Sequence, residues 1–109
     1  MKGDIVFVRF PYTDMTNAKP RPALVLHEEK DEVVLAYISS RVPIVPTKTD
    51  VLVLRSDSFF EATGLKSDSV IKLSVLATLK KLFIEGLFGE ADGTLRHEIN
   101  TKLALCYRL

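Results

Sequence analysis

The sequence predicts an α+β fold in which a small, partly closed antiparallel β-barrel carries a C-terminal helix. Most of the chain consists of short apolar runs rich in β-branched and aromatic residues, with turn-forming residues between them. The last segment changes period, because Leu95, Ile99, Leu103 and Cys106 fall at helical spacing and form one apolar stripe. Several short strands and one helix give an α+β layout, and closure into a barrel removes exposed strand edges.

Each strand is predicted from an apolar run, and turn-forming or charged residues lie between the runs. Residues 11–20 and 42–50 have a loop composition, and Gly64 to Asp68 is a predicted turn. Asp92 or Thr94 can cap the final helix, and Gly86 is a candidate bulge. The strands are expected at Ile5 to Phe10, Ala23 to His27, Val33 to Ser39, Val51 to Leu54, Ser69 to Thr78 and Leu82 to Phe88.

The run from Ser69 to Thr78 alternates in a way that assigns side chains to faces. Since successive strand residues point to opposite sides, Lys72 and Ser74 are expected to share one face. The opposite face then carries Ile71, Leu73, Val75 and Ala77.

Length and composition exclude several classes of protein. A chain of 109 residues predicts a single domain spanning residues 1–109. The net charge of +1 counts against a non-specific RNA coat protein, so RNA binding would need a local basic cluster or a groove between subunits. Cys106 is the only cysteine, which excludes an internal disulfide and a cysteine-rich zinc site. No apolar leader or membrane span is visible, so we expect a cytoplasmic protein with no membrane partner.

A series of short motifs resembles the MazF/PemK toxins of type II toxin–antitoxin systems, over nearly the whole chain. The opening strand Gly3-Asp4-Ile5-Val6 is followed by Pro11-Tyr12-Thr13-Asp14, which resembles the Pro-Phe-Thr-Asp loop of one branch of the family. Each motif alone is weak, but their order and spacing are specific. The motifs that follow are Arg21-Pro22-Ala23-Leu24-Val25-Leu26, Ala36-Tyr37-Ile38-Ser39-Ser40, Gly64-Leu65, Asp68-Ser69-Val70-Ile71 and Leu76-Ala77-Thr78-Leu79.

This resemblance implies an SH3-like barrel with helices, which agrees with the fold predicted from the strand pattern. It also implies a metal-independent endoribonuclease without cofactors that cleaves single-stranded RNA. In such enzymes the ribose 2′-hydroxyl attacks the adjacent phosphate and leaves a cyclic phosphate and a free 5′-hydroxyl. The expected partners are single-stranded RNA, a cognate antitoxin whose disordered tail folds into the RNA groove, and a second copy of the chain in a homodimer.

Arg21 and Ser39 are the catalytic residues that the resemblance implies. A guanidinium is planar, permanently charged and able to grip two phosphate oxygens. Pro20 and Pro22 stiffen the backbone around Arg21, as a preorganised phosphate clamp requires. Arg21 is a poor general base, so we assign it charge stabilisation first. Ser39 matches the Thr or Ser that ends the family's third strand, and its hydroxyl can donate to the same phosphate.

Further residues are expected to bind the substrate, and some of them depart from the family pattern. Lys72 stands where some members have Arg, and Ser74 stands where members carry an acid or a His. Serine cannot replace a carboxylate as a base, so the identity of the proton-transfer group stays open. Ala77 and Lys80 also differ from the residues that are usual in the family at these positions. The expected substrate-binding residues are Thr13, Asp14, Lys19, Ser40, Arg41, Lys72 and Ser74.

Two alternatives stay open at this point. His27 and His97 could form a two-histidine ribonuclease site, although nothing in the sequence brings them together. Ser74 and Ala77 favour a second class of function, in which the same barrel is a non-catalytic interaction module or a gyrase poison. Growth arrest with or without RNA cleavage separates these classes.

Overall fold

Six strands form one antiparallel sheet in the computed structural model, which describes residues 1–10 and 19–109. The strand order is β4-β5-β3-β2-β1-β6, and the edge strands β4 and β6 leave the barrel partly open. This confirms the predicted α+β fold. The elements are β1 (Asp4–Val8), β2 (Arg21–Glu28), β3 (Glu32–Ser39), β4 (Asp50–Val53), α1 (Phe60–Thr63), β5 (Ser69–Lys80), β6 (Gly86–Glu90) and α2 (Gly93–Cys106).

The predicted positions of the strands hold except at the last one. Lys81–Phe83 forms a 3₁₀ turn, so β6 begins at Gly86 rather than at Leu82. The backbone N–H of Glu85 donates a hydrogen bond to the carbonyl of Phe7, and this bond directs the chain onto β1. Helix α1 was not predicted, since a single helical turn shows no period that a sequence can reveal.

The apolar side chains of the sheet pack into two clusters on opposite faces. One cluster includes Ile5, Leu24 and Ile38, and it is covered by α2 through Leu95 and Ile99. The other cluster gathers on the opposite face around side chains that include Phe10, Val8, Val25 and Leu35. The burial of both faces explains why an antiparallel sheet of this size has strands that are apolar at successive positions.

Strand β5 is irregular in the middle, and this irregularity changes the faces of its residues. Ala36 of β3 lies opposite Leu76, whereas the next residue, Tyr37, lies opposite Lys72. Residues 73–75 therefore have no regular partner on β3. A bulge of this kind bends the strand and increases its twist.

The single apolar face predicted for β5 is consequently wrong. Ile71 and Leu73 belong to the cluster under α2, whereas Val75 and Ala77 pack into the opposite cluster. The alternation of side chains holds only while pairing is regular, and the extra residues shift it.

Helix α2 begins as the sequence predicts, with Asp92 as its N-cap. The Asp92 carboxylate accepts the backbone N–H of Leu95 at 2.9 Å. Leu95 and Ile99 are buried, and Leu103 packs against the same core. The C-terminal end is held by the Tyr107 hydroxyl, which donates to the Leu73 carbonyl.

Two glycines allow α1 and the turn after it to lie directly against β6. Gly64 has φ +72°, and a Cβ on it would lie 2.1 Å from the Phe88 carbonyl oxygen. A Cβ on Gly89 would lie 2.3 Å from the Ala62 carbonyl oxygen. No other residue type fits these positions without a shift of backbone, so the segment following Gly64 is placed next to β6.

Candidate functional site

The antiparallel pairing of β2 with β3 brings Arg21 and Ser39 to the same edge of the sheet. Ala23 lies opposite Tyr37, so Arg21, two residues earlier, and Ser39, two residues later, lie at neighbouring strand ends. Both side chains line one cleft with a volume of about 500 Å³. The residues that the sequence singled out as catalytic therefore share one open space.

The hydroxyl of Ser39 is oriented by the backbone that follows it. Its Oγ accepts the N–H of Arg41 at 3.1 Å. The hydroxyl hydrogen has no acceptor among the described residues, so it can donate to a ligand in the cleft. Ser40 and Arg41, both expected to bind the substrate, are exposed and line the same cleft.

The charge of the cleft has one sign over the described residues. Arg21, Arg41 and Lys66 line it, and no Asp, Glu or His side chain does. None of these cations forms an ion pair with another described residue, whereas Lys72 and Lys81 each bind a carboxylate. A concave surface with unpaired cations attracts a polyanion.

Another part of the cleft wall comes from elements that the sequence did not connect with Arg21. Lys66, Ser67 and Ser69 follow α1, and Phe88 belongs to β6. The residues 64–68 showed only a turn composition, and no sequence signal places Phe88 at the cleft. These contacts arise from sheet pairing between distant segments, namely β1 with β6.

Comparison with known proteins identifies the family. The sequence profile that describes a PemK-like, MazF-like toxin of type II toxin–antitoxin systems matches residues 1–107. The chain belongs to this family. Among curated proteins, none matches the sequence of this chain.

Solved structures show the same fold at low sequence identity. A mycobacterial endoribonuclease in complex with its cognate antitoxin is 19% identical, with a TM-score of 0.73 over 100% of this chain and 95% of that one. The Mycobacterium tuberculosis toxin MazF-mt6 is 19% identical, with a TM-score of 0.74 over 97% of each chain. MazF from Deinococcus radiodurans is 18% identical, with a TM-score of 0.66 over 98% of this chain and 94% of that one.

Lys72 and Ser74 do not line the cleft. The Lys72 ammonium lies 3.1 Å from Oδ1 of Asp50, a residue that is only 1% exposed. Burial by itself would raise the pKa of Asp50, but the Thr47 backbone N–H and the Lys72 ammonium outweigh it and hold the pKa below its usual value. Ser74 is exposed within the irregular part of β5.

The remaining expected substrate-binding residues are Thr13, Asp14 and Lys19, which precede β2 in the sequence. Lys19 is exposed and precedes β2, and it does not line the cleft. Thr13 and Asp14 lie outside the described residues. Their expected contact with RNA or antitoxin stays a prediction.

The two histidines do not meet in the cleft. His27 lies on β2 with Nε2 2.8 Å from Oε1 of Glu29, and His97 is exposed on α2. Neither lines the cleft with Arg21.

Within residues 1–10 and 19–109, no group of His, Cys, Asp and Glu side chains is suitably placed to hold a metal ion. The helices in that part of the chain are too short or too polar to cross a membrane.

Proposed function

We propose that the protein is a toxin that cleaves single-stranded RNA within the chain by attack of the ribose 2′-hydroxyl on the adjacent phosphate. The observation that carries this proposal is the cleft, because Arg21, Arg41 and Lys66 line it without a carboxylate among the described residues. A phosphodiester is the substrate that such a surface favours. Membership of the toxin family and the endoribonuclease among the similar structures support the same reaction.

The proposed chemistry needs no nucleophile from the protein. The 2′-oxygen forms a bond to phosphorus, the bond from phosphorus to the 5′-oxygen breaks, and the products are a cyclic phosphate and a 5′-hydroxyl. Arg21 grips the phosphate oxygens as charge develops, and the Ser39 hydroxyl donates to the same group. The 2′-hydroxyl loses a proton and the 5′-oxygen gains one. Arg21 is assigned to charge stabilisation because a guanidinium is a poor general base. None of the described residues that line the cleft is Asp, Glu or His.

Two protein partners belong to this proposal. One of the similar structures contains a mycobacterial endoribonuclease with its cognate antitoxin, and we expect a cognate antitoxin to block the cleft of this chain. We also expect a homodimer, as the family resemblance implies. Size-exclusion chromatography with light scattering measures the mass of the assembly.

The test is cleavage of a single-stranded RNA by the purified protein, with and without EDTA. Arg21→Ala is expected to lose about hundred- to thousand-fold in the rate of the chemical step, the effect of removing one preorganised donor to a developing charge. Arg108→Ala, an exposed arginine outside the cleft, is the matched control and is expected to cleave normally. Normal cleavage by Arg21→Ala would refute the assigned mechanism.

A second experiment, growth of cells that express the protein, separates the alternative functions. Expression that arrests growth while RNA stays intact would favour a gyrase poison, and an absence of growth arrest would favour a non-catalytic interaction module. Mapping of RNA 5′ ends after expression separates RNA cleavage from both alternatives, because the proposed reaction leaves free 5′-hydroxyl groups.

A further inference from the structure

The cleft has a second wall whose residues have no role in the assigned chemistry. Lys66 lies in the turn after α1, and Phe88 lies in β6. Both line the same cleft as Arg21 and Ser39. The close approach at Gly64 and Gly89 fixes this wall, since a side chain on either glycine would collide with the backbone opposite it.

Phe88 is turned by a bulge and held in place by another ring. Ile5 of β1 lies opposite Gly89 and Val6 lies opposite Leu87, so Phe88 is the extra residue of β6. The bulge was expected at Gly86, two residues earlier. Bulges redirect side chains, often next to functional sites. The Phe88 ring stacks on Phe7 with centroids 3.8 Å apart and an interplanar angle of 27°. The ring is therefore a fixed, half-buried aromatic surface at the cleft.

Lys66 is an exposed cation whose backbone is fixed. Its carbonyl accepts Nη2 of Arg55 at 2.7 Å. The nearby carboxylate of Asp68 accepts the backbone N–H of Arg55 at 2.7 Å. The Lys66 ammonium forms no ion pair with another described residue. It is thus available to a phosphate in the cleft.

We infer that the second wall binds the nucleotide next to the cleaved bond, with its base stacked on Phe88 and its phosphate paired with Lys66. This inference rests on the proposed function. Proteins hold single-stranded nucleic acid by this combination of a positive groove and aromatic platforms, because every base has a face that can stack. The subsite binds a nucleotide through the flat face of its base and the negative charge of its phosphate.

The experiment measures binding of an oligoribonucleotide that the wild type cleaves, made with a 2′-deoxy residue at the cleavage position so that it cannot react. Phe88→Leu is expected to weaken binding about five- to hundred-fold, and Phe88→Tyr, which keeps the aromatic face, is expected to bind as the wild type does. Lys66→Gln is expected to reduce the dependence of log Kd on log salt by about 0.7, the value for one phosphate contact on a single strand. Lys30→Gln, in the exposed turn between β2 and β3, is the charge control.

A structural role of Phe88 is separated from base stacking by removing bases from the oligonucleotide. An abasic site at the stacked position is expected to weaken binding to the wild type and to have no further effect on Phe88→Leu. Thermal unfolding shows whether each variant is folded. If Phe88→Leu does not fold, the salt dependence of Lys66→Gln and the abasic series on the wild type decide the question.

Wild-type affinity in either Phe88→Leu or Lys66→Gln overturns the inference, and so does an abasic series without a sensitive position. A wild type that cleaves RNA while these variants bind normally leaves the proposed function intact. A wild type that neither binds nor cleaves RNA contradicts the proposed function itself.

Discussion

Lys72 provides a sharp test of the difference between family position and spatial position. Its place in the motif series predicts contact with RNA, but its ammonium binds Asp50 at 3.1 Å. The Asp50 carboxylate also accepts the Thr47 backbone N–H at 2.9 Å, and the Asp50 carbonyl accepts Lys102 at 2.6 Å. We predict that Lys72 stabilises the turn from Thr47 to Asp50. Lys72→Met is then expected to destabilise the fold without slowing cleavage.

The structure sets the expected magnitude. A buried ion pair that loses one partner costs about 3–5 kcal/mol, but the Lys72 side chain is 32% exposed and solvent screens its charge. We therefore expect about 1–3 kcal/mol for Lys72→Met. Asp50→Ala also leaves the Thr47 N–H without its acceptor, so we expect about 2–4 kcal/mol. The double variant is expected to show a coupling of about 0.5–3 kcal/mol, because the two side chains are in contact.

Urea denaturation gives the free energy of unfolding, and single-turnover cleavage of an RNA oligonucleotide gives the rate at a temperature where every variant is folded. Lys48→Met, at an exposed lysine outside the pair, is the control and is expected to change neither value. The reasoning is refuted if Lys72→Met keeps its stability while its cleavage rate falls more than about tenfold. That result would place the Lys72 ammonium on the RNA.

Three further predictions concern single residues. Ser39→Ala is expected to lower the single-turnover cleavage rate about hundred- to thousand-fold with an unchanged melting curve, and a rate near wild type would exclude donation to the phosphate. Gly64→Ala is expected to lower the free energy of unfolding in urea by about 2–5 kcal/mol, because of the φ of +72° and the clash with Phe88. Gly93 has open space around it, so Gly93→Ala is expected to leave this free energy unchanged. Because the pKa of Asp50 is held below its ordinary value, the contribution of Asp50 to stability is present above that ordinary value and is lost as the pH falls through the lower pKa of the folded protein. Asp50→Asn should therefore lose less stability than the wild type in denaturation below about pH 4, and equal losses would contradict this.

Arg21 and Ser39 could be proposed from the sequence through the family motifs, and their proximity in the structure has a local cause. Arg21 and Ser39 lie on β2 and β3, which follow one another in the chain and pair as a hairpin. A hairpin brings its strand ends together whatever the rest of the chain does. The pairing of these neighbouring strands therefore explains why the structure brings the two residues to one edge. The Asp92 cap could be predicted because it is local and bonds Leu95 within one turn.

The rest of the site depends on contacts between distant segments. Phe88 reaches the cleft because β6 pairs with β1 and carries an extra residue at that position. Lys66 reaches it because Gly64 permits the turn to pack on β6. Neither pairing partner nor bulge position is encoded in the alternation of apolar residues, because each depends on how the whole sheet closes.

The amino-acid sequence is sufficient to predict the family, the α+β class, five of the six strand positions, and Arg21 and Ser39 as candidate catalytic residues. Periodicity and turn residues predict the class and the strands, whereas the resemblance of the motifs gives the family and the two residues. Which cations are unpaired in the cleft and which are bound to carboxylates depends on the fold. Lys72 and Lys66 are alike as residues, but β4 places Asp50 against Lys72 while no described carboxylate pairs with Lys66. Because the availability of a charge depends on its neighbours in space, only the fold assigns one lysine to the turn and the other to the cleft.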